Sequence, residues 1–191
     1  MGAIRLDMSM SLDGYVAGPD DDAHNPMGVG GFRLFNWLDH REEEGPHGDA
    51  YAEMMASRAF ISGRRTYELA NHWGGDLHGG RPVFVLTHDV PGDPPPGSIR
   101  FVTDVQECAT AAREAAGEGV TSVLGAGAAQ ALLNAGQLDE LELHVVPVLL
   151  GRGRRLFDHL RVDPVTLELL RRVSTPEVQH LRYRVAALTS G

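Results

Sequence analysis

From residue 59 to residue 136 the sequence alternates strand-like apolar runs with helix-like segments, and this alternation constrains the fold more than any other feature. The apolar runs cover 59–61, 82–87, 99–102 and 120–124, and the helical patterns cover 64–70, 103–116 and 128–135. Parallel strands need crossover segments of this kind, whereas antiparallel strands can be joined by short turns. The pattern therefore predicts an α/β protein with a mainly parallel central sheet that is covered by helices, in three α-β-α layers.

The two ends of the chain are expected to extend this sheet. Residues 4–11 alternate apolar and polar side chains, which predicts a strand buried on one face. Three long strand-like runs, 141–150, 165–173 and 178–188, follow without helical patterns of similar length between them. We expect these runs to pair antiparallel at one edge of the sheet. The length and the continuous set of elements predict one domain over residues 1–191.

Capping residues predict where several helices begin and end. A helical pattern covers 32–41, and Asp49 is the predicted N-cap of the next helix. Thr103, with Gln106 three residues later, predicts a capping box at the start of the alanine-rich helix. Gly136 occupies the usual position just past a helix C-terminus.

The charged residues exclude several classes of function. The chain has 17 basic and 26 acidic residues, a net charge of −9, and every basic residue is arginine. The absence of lysine excludes Schiff-base and pyridoxal-phosphate enzymes and phosphate-loop NTPases. The acidic balance argues against nucleic acid and anionic membranes as partners. The single Cys108, the lack of a signal-like N-terminus and the lack of a long apolar run predict a cytoplasmic protein without a membrane span.

Two strand–glycine–helix junctions are candidate phosphate-binding sites. Gly63 precedes Arg64 and Arg65 at the first junction, and Gly125 and Gly127 form the second. N–H groups at a helix N-terminus bind phosphate, and paired guanidinium groups suit a terminal phosphate. The alternative is that each glycine only separates a strand from a helix and that the arginines lie on a solvated helix face.

Other motifs carry weaker signals. Gln130 stands where the third glycine of a G-x-G-x-x-G fingerprint belongs, which argues against a true dinucleotide-binding Rossmann motif. Ser62 lacks the first glycine of a hydrolase elbow. The acidic and histidine residues between 39 and 49 are best interpreted as a solvated face, so no metal site is predicted. Metal-dependent hydrolysis at this cluster is kept as an alternative.

Five short sequence blocks carry a family resemblance. They are residues 11–20 (SLDGYVAGPD), 62–68 (SGRRTYE), 81–87 (RPVFVLT), 124–127 (LGAG) and 147–157 (PVLLGRGRRLF). Because of the order and spacing of these blocks, the chain resembles the dihydrofolate reductase-like superfamily. Within it, the match is closest to the reductase domain of the bacterial riboflavin-biosynthesis deaminase-reductase. The resemblance implies the dihydrofolate reductase-like fold and an NADPH-dependent reductase.

The resemblance also implies a set of cofactor-binding residues. The implied NADPH ligands are Ser9, Val16, Gly63, Arg64, Arg65, Thr66, Thr87, Gly125, Ala126, Gly127 and Ala128. The arginines would lie near the 2′-phosphate, and Thr87 would lie beside the adenosine. The 125–128 turn would cradle the diphosphate, and Ser9 and Val16 would border the nicotinamide.

The substrate side is less defined by the sequence. Asp13 is the candidate catalytic residue, because it could position substrate or relay a proton, and ordinary turn chemistry before Gly14 is the alternative. The loop 20–31 is predicted to close over the nicotinamide. Asn36 offers no carboxylate before Asp39, which argues against dihydrofolate itself. We expect hydride transfer to a C=N or C=O bond of a small pteridine- or pyrimidine-like heterocycle; the alternative is a non-catalytic nucleotide- or flavin-binding module.

The apolar C-terminal runs bear on assembly. Many of their residues are valine or leucine, and an apolar sheet edge needs cover. The family resemblance implies that this region forms a homodimer, and we expect one.

Overall fold

The computed structural model describes residues 2–77, 79–93, 97–161 and 164–186. The strands are β1 (Ile4–Ser11), β2 (Tyr15–Ala17), β3 (Ala59–Gly63), β4 (Val83–Leu86), β5 (Ile99–Val102), β6 (Thr121–Leu124), β7 (Glu140–Val146), β8 (Arg154–Arg155), β9 (Leu167–Ser174) and β10 (Gln179–Val185). The α-helices are α1 (Pro46–Met55), α2 (Arg64–Leu69), α3 (Val105–Ala116) and α4 (Ala126–Asn134), and 3₁₀ helices cover Gly31–His40 and Asn71–Gly75.

Across the described ranges, eight strands form one sheet in the order β5-β4-β3-β6-β1-β7-β10-β9, and β2 pairs with β8 in a small separate sheet. The neighbours from β5 to β7 are parallel. β10 is antiparallel to both β7 and β9. The predicted α/β fold, with a mainly parallel sheet and antiparallel C-terminal strands, is therefore confirmed. β7 is shorter than its predicted run because it ends at Val146, before Pro147, and the end of the 178–188 run lies outside the described residues.

The polar residues of β1 do not face solvent, so the predicted burial on one face is wrong. The buried polar side chains, each at most 5% exposed, are Arg5, Asp7, Ser9 and Ser11. β1 lies between β6 and β7 in the sheet interior. The 3₁₀ helix Gly31–His40, where the sequence predicted a helix over 32–41, covers its polar face, and Trp37 donates a hydrogen bond to Ser9. Buried polar groups need partners, and among these residues Asp7 and Ser9 border a cavity described below.

Apolar side chains pack on both faces of the sheet and complete the three layers. Ile61 and Val123 cluster with residues of α3 and α4 on one face. The neighbouring Phe60 packs with Val85 and with Tyr67 of α2 on the other face. Phe60 and Ile61 are adjacent in β3 but belong to apolar clusters on different faces of the sheet. This is expected because successive side chains of a strand point to opposite faces, and both faces are buried here.

Two predicted helix starts are shifted in the structure. α1 begins at Pro46, which suits a first helical position because proline has no N–H to satisfy, so Asp49 lies inside the first turn and is not the N-cap. α3 follows Asp104, whose carboxylate accepts a hydrogen bond from the backbone N–H of Glu107 at 2.8 Å. The predicted capping box at Thr103 is therefore wrong by one residue. Within the described ranges, no helix is long and apolar enough to cross a membrane.

Candidate functional site

A cavity of about 1030 Å³ opens at the carboxyl ends of β3, β4 and β6. Parallel strands bring their carboxyl ends to one edge of the sheet, where α/β proteins commonly bind ligands. Every residue predicted to bind the cofactor borders this cavity: Ser9, Val16, Gly63, Arg64, Arg65, Thr66, Thr87, Gly125, Ala126, Gly127 and Ala128. The cavity has the size of a small-molecule site.

The two glycine junctions touch each other and form one surface. β3 and β6 are adjacent and parallel, so α2 and α4 begin side by side. Gly125 has a φ of 94°, and a Cβ built there would lie 2.1 Å from Oγ1 of Thr66. Only glycine fits this conformation and this approach without strain. Thr66 therefore lies directly against the second junction.

The first turn of α4 presents free N–H groups to the cavity. Ala126, Gly127 and Ala128 occupy the first helical positions, where backbone N–H groups have no acceptor within the helix. A Cβ built at Gly127 would meet no atom within 4 Å. Packing within the protein therefore does not require glycine at this position, and the absence of a Cβ leaves space for a ligand against the backbone. Such a turn attracts anions.

The two arginines of the first junction do not share one target. Arg64 donates a hydrogen bond to Glu68 at 2.7 Å and another to the carbonyl of Asp89 at 3.0 Å, beside Thr87. Arg65 instead crosses to the loop after β2, where its Nε lies 3.1 Å from Oδ2 of Asp21. The two arginines therefore lie at two different places on the cavity rim.

A buried carboxylate and an imidazole lie in another part of the cavity wall. Oδ1 of Asp7 is 3.1 Å from Nε2 of His144, and both residues border the cavity. The indole of Trp37 lies against His144 at a tilt of 46°, with ring centroids 4.5 Å apart. Within the described part of the chain, Oδ2 of Asp7 has no hydrogen-bond partner. This oxygen is available to a ligand.

Behind this pair, imidazoles continue toward the surface. Nδ1 of His144 lies 2.7 Å from Nδ1 of His180, whose Nε2 lies 3.2 Å from Nδ1 of His47. His47 in turn approaches Glu177 at 3.6 Å. Burial, followed by the neighbouring His144, His47 and Arg171, lowers the pKa of His180 to about 4. His180 is therefore neutral at pH 7 and fixes the orientation of His144 through one N–H.

Asp13 is the one predicted site residue that does not border the cavity. Its carboxylate accepts hydrogen bonds from the Ser11 hydroxyl at 2.6 Å and from the backbone N–H groups of Leu150 and Gly151 at 3.1 and 2.7 Å. The Ser11 bond is the main cause that lowers the pKa of Asp13. These contacts tie the end of β1 to the segment after β7. They support the turn role of Asp13 rather than contact with substrate.

Sequence reasoning assigned no role to several polar or aromatic cavity residues, among them Asp7, Trp37, His144 and Arg154, and it placed Asp21 only within the predicted loop 20–31. Asp7 was hidden because the alternation of β1 assigned it to a solvent face. His144 lies in an apolar strand-like run, where a single histidine gives no signal. Arg154 belongs to a two-residue strand that no periodicity can reveal.

The acidic and histidine cluster between residues 39 and 49 is divided in the structure. His40 pairs with Glu43 at 2.9 Å on the surface, while His47 turns inward to His180. Among the residues that the structure describes, no group of three or more histidine, cysteine or acidic side chains is arranged to hold a metal ion. The geometry thus gives no support to the alternative of metal-dependent hydrolysis.

The strand order, the cavity at the strand ends and the paired glycine junctions define an α/β protein of the dihydrofolate reductase-like class. Residues 3–181 match the sequence model of the RibD C-terminal domain, and the chain belongs to this family. The predicted resemblance is thereby confirmed.

Solved structures agree with this assignment. A protein of Shewanella sp. PV-4, whose own role in riboflavin biosynthesis is only proposed, has a TM-score of 0.72 and 21% identity, over 97% of this chain and 99% of that one. RibD of Acinetobacter baumannii has a TM-score of 0.64 and 17% identity, over 97% of this chain and 58% of that one. Enterococcus faecalis dihydrofolate reductase, complexed with NADP(H), has a TM-score of 0.57 and 16% identity, over 99% and 98% of the two chains. These identities show a shared fold. No curated protein sequence matches the chain.

Proposed function

We propose that this protein is an NADPH-dependent reductase that transfers a hydride to a C=N or C=O bond of a small pteridine- or pyrimidine-like heterocycle. The observation that carries the proposal is one cavity with two kinds of wall. One wall offers glycine junctions, free N–H groups and arginines, and the other offers a buried carboxylate–imidazole pair. A dinucleotide and a heterocycle need these two environments.

The residues of the glycine-rich wall fit the dinucleotide. The open space at Gly127 and the N–H groups of the first turn of α4 would bind the diphosphate. Arg64, beside Thr87 on the rim, supports a site for the adenosine 2′-phosphate, and this phosphate distinguishes NADPH from NADH. Ser9 and Val16 would border the nicotinamide, which supplies the hydride when NADPH is bound. Thr66 would hold the two junctions together.

In the second wall, which holds the carboxylate–imidazole pair, Asp7 is our proposed proton donor. Reduction of C=N or C=O needs a proton on the heteroatom as well as a hydride on the carbon. Asp7 would give that proton from its unpartnered Oδ2, and the resulting carboxylate would keep its hydrogen bond with His144 at Oδ1. Asp7 is only 5% exposed, which would limit the access of bulk water during this step. The catalytic role of Asp13 stays a prediction, and the contacts of Asp13 do not support it.

The substrate class rests on the relatives. The Thermotoga maritima neighbour is a diaminohydroxyphosphoribosylaminopyrimidine deaminase/5-amino-6-(5-phosphoribosylamino)uracil reductase, with a TM-score of 0.62 and 13% identity, over 97% of this chain and 57% of that one. A Corynebacterium diphtheriae neighbour is a pyrimidine reductase-like protein. This chain spans little more than half of the bifunctional enzymes, so we extend to it only the reductase chemistry on a pyrimidine-like ring.

The cofactor is tested by binding. Fluorescence titration should give tighter binding of NADPH than of NADH, and the double variant R64A/R65A should lose most of this preference. Arg172, an exposed arginine of β9 away from the cavity, provides the matched control R172A. If neither nucleotide binds, or if R64A/R65A binds NADPH as the natural chain does, the proposal is wrong.

The reaction is tested by oxidation of NADPH with 5-amino-6-(5-phosphoribosylamino)uracil and 7,8-dihydrofolate as probes. We expect turnover of the pyrimidine and little turnover of dihydrofolate. NADPH binding without oxidation by a broad set of pteridines and pyrimidines would favour the non-catalytic binding module.

We further propose that residues 1–191 act as one cytoplasmic reductase domain and form a homodimer through β9. Leu167, Leu169 and Leu170 of this edge strand are 40%, 52% and 36% exposed. Apolar side chains on an edge strand favour cover by a second copy. Light scattering at micromolar concentration should give the dimer mass, and a monomer would refute this part of the proposal.

A further inference from the structure

Asp21 bridges two arginines that come from different elements. Its carboxylate lies 3.0 Å from Nη2 of Arg65 on α2 and 3.2 Å from Nη2 of Arg154 on β8. Arg65 also donates a hydrogen bond to the backbone carbonyl of Asp21 at 2.6 Å. The Asp21 side chain is 13% exposed, whereas those of Arg65 and Arg154 are 50% and 44% exposed. The carboxylate is thus enclosed by two guanidinium groups that remain open to solvent.

This ion-pair cluster lies where the cavity meets the first turn of α4. Asp21, Arg65, Arg154 and Gly127 all border the main cavity. Asp21, Arg154 and Gly127 also border a second cavity of about 410 Å³. The carboxylate of Asp21 therefore lies between the two cavities, and both cavities border the N-terminus of α4. Two guanidinium groups and free backbone N–H groups together form a strongly anion-attracting environment.

We infer that Arg65 and Arg154 form a phosphate-binding site that the carboxylate of Asp21 fills in the free protein and that a ligand phosphate takes over. This inference rests on the proposed function in one respect, namely that the phosphate belongs to the diphosphate of NADPH. A phosphate group carries more charge and more acceptor oxygens than a carboxylate, so it competes well for two guanidinium forks. Asp21 acts as an internal competitor.

The loop that carries Asp21 is closed at its base by backbone hydrogen bonds that do not involve Asp21. Gly18 and Val29 close the base through hydrogen bonds to Met27 and Pro19, each of 2.8 Å. Asp20, next to Asp21, has a left-handed backbone with a φ of 60°. Aspartate tolerates this conformation better than most residues, and the turn directs both the carbonyl and the carboxylate of Asp21 to Arg65. Release of Asp21 requires no opening of the base.

The test measures binding of inorganic pyrophosphate and of NADPH by calorimetry at fixed ionic strength. D21N removes the competing charge and should bind both ligands about five- to tenfold more tightly. D20N removes the same charge from the neighbouring residue, and asparagine also accepts a left-handed backbone, so this control should match the natural chain within about twofold. R154Q should weaken pyrophosphate binding, because it removes one arm of the site.

The outcomes separate this inference from the proposed function. If D21N binds both ligands no more tightly than D20N, the inference is overturned, even when NADPH binds the natural chain well. If pyrophosphate binds more tightly to D21N while NADPH binds no variant, the phosphate site stands and the proposed cofactor is wrong. Pyrophosphate that binds neither the natural chain nor D21N overturns the inference. D21S, checked for folding by thermal unfolding, serves as a second variant with the same expected gain.

Discussion

The two walls of the main cavity are assembled from the chain in different ways. The glycine-rich wall consists of two contiguous segments, each a strand that runs directly into a helix. The second wall joins Asp7 of β1 to His144 of β7, which are 137 residues apart in the chain. Backbone N–H groups can be supplied by a local motif, whereas a carboxylate–imidazole pair requires the finished sheet. The difference predicts that the two walls respond separately to mutation.

The largest expected effect tests whether the walls act independently. D7N keeps the shape of Asp7 but removes the carboxyl group that we propose as proton donor, so turnover should fall about 10²- to 10⁴-fold, the usual range for loss of a general acid. NADPH affinity, measured by fluorescence, should stay within about twofold, because Asp7 is not among the residues proposed to bind NADPH. An unchanged turnover number would show that the proton comes from another group.

The next effect concerns stability against pH. The folded pKa of His180, about 4, lies below its ordinary value of 6.5, so the unfolded chain binds more protons between these values. Stability from this residue is therefore full above pH 6.5 and falls as pH decreases toward 4, by about 2–3 kcal/mol between pH 6.5 and 4.5. Urea unfolding at several pH values should show this slope, and H180N should lack it.

Two comparisons test whether the slope of stability against pH comes from His180 and not from another group. His24 is almost fully exposed, so H24N should keep the slope of the natural chain. Glu53 is partly buried, which opposes its charge, but hydrogen bonds from Arg171 and Arg182 lower its pKa to about 2. The stability from Glu53 is therefore present above pH 4.5 and is lost only below it, outside the measured interval. A slope that persists in H180N would assign the effect to other groups.

A smaller effect separates folding from binding at the glycine-rich wall. G125A places a Cβ 2.1 Å from Thr66 on a backbone with positive φ, and it should destabilise the protein by about 1–3 kcal/mol. G127A meets no protein atom within 4 Å and should leave stability almost unchanged. It should nevertheless weaken NADPH binding about tenfold, because its methyl group fills the space against the helix turn. Equal NADPH affinities of G127A and the natural chain would contradict the diphosphate site.

The smallest expected effect on turnover is at Asp13. D13N should reduce stability, because it weakens the hydrogen bonds that hold Leu150 and Gly151 to the end of β1. Turnover of the folded variant should change little. A large loss of turnover at normal stability would instead support the predicted catalytic role of Asp13.

The sequence named the residues that form the glycine-rich wall but not Asp7 and His144 of the second wall, and the reason is physical. The junctions around Gly63 and Gly125 are local, because chain direction and glycine alone determine them. Asp7 appeared to be a solvent-facing residue, since the alternation of β1 does not reveal whether a layer covers its polar face. Only the placement of the 3₁₀ helix Gly31–His40 over β1 shows that Asp7 and Ser9 are buried.

The contact between Thr66 and Gly125 also has an evolutionary consequence. Two motifs that are distant in the sequence share one small space, so neither position can drift alone. Among descendants of a common ancestor, glycine should therefore persist at 125, because both its positive φ and the adjacent Thr66 exclude a Cβ, and position 66 should accept no residue larger than threonine. We expect these two positions to be inherited together, as a single unit divided between two segments of the gene.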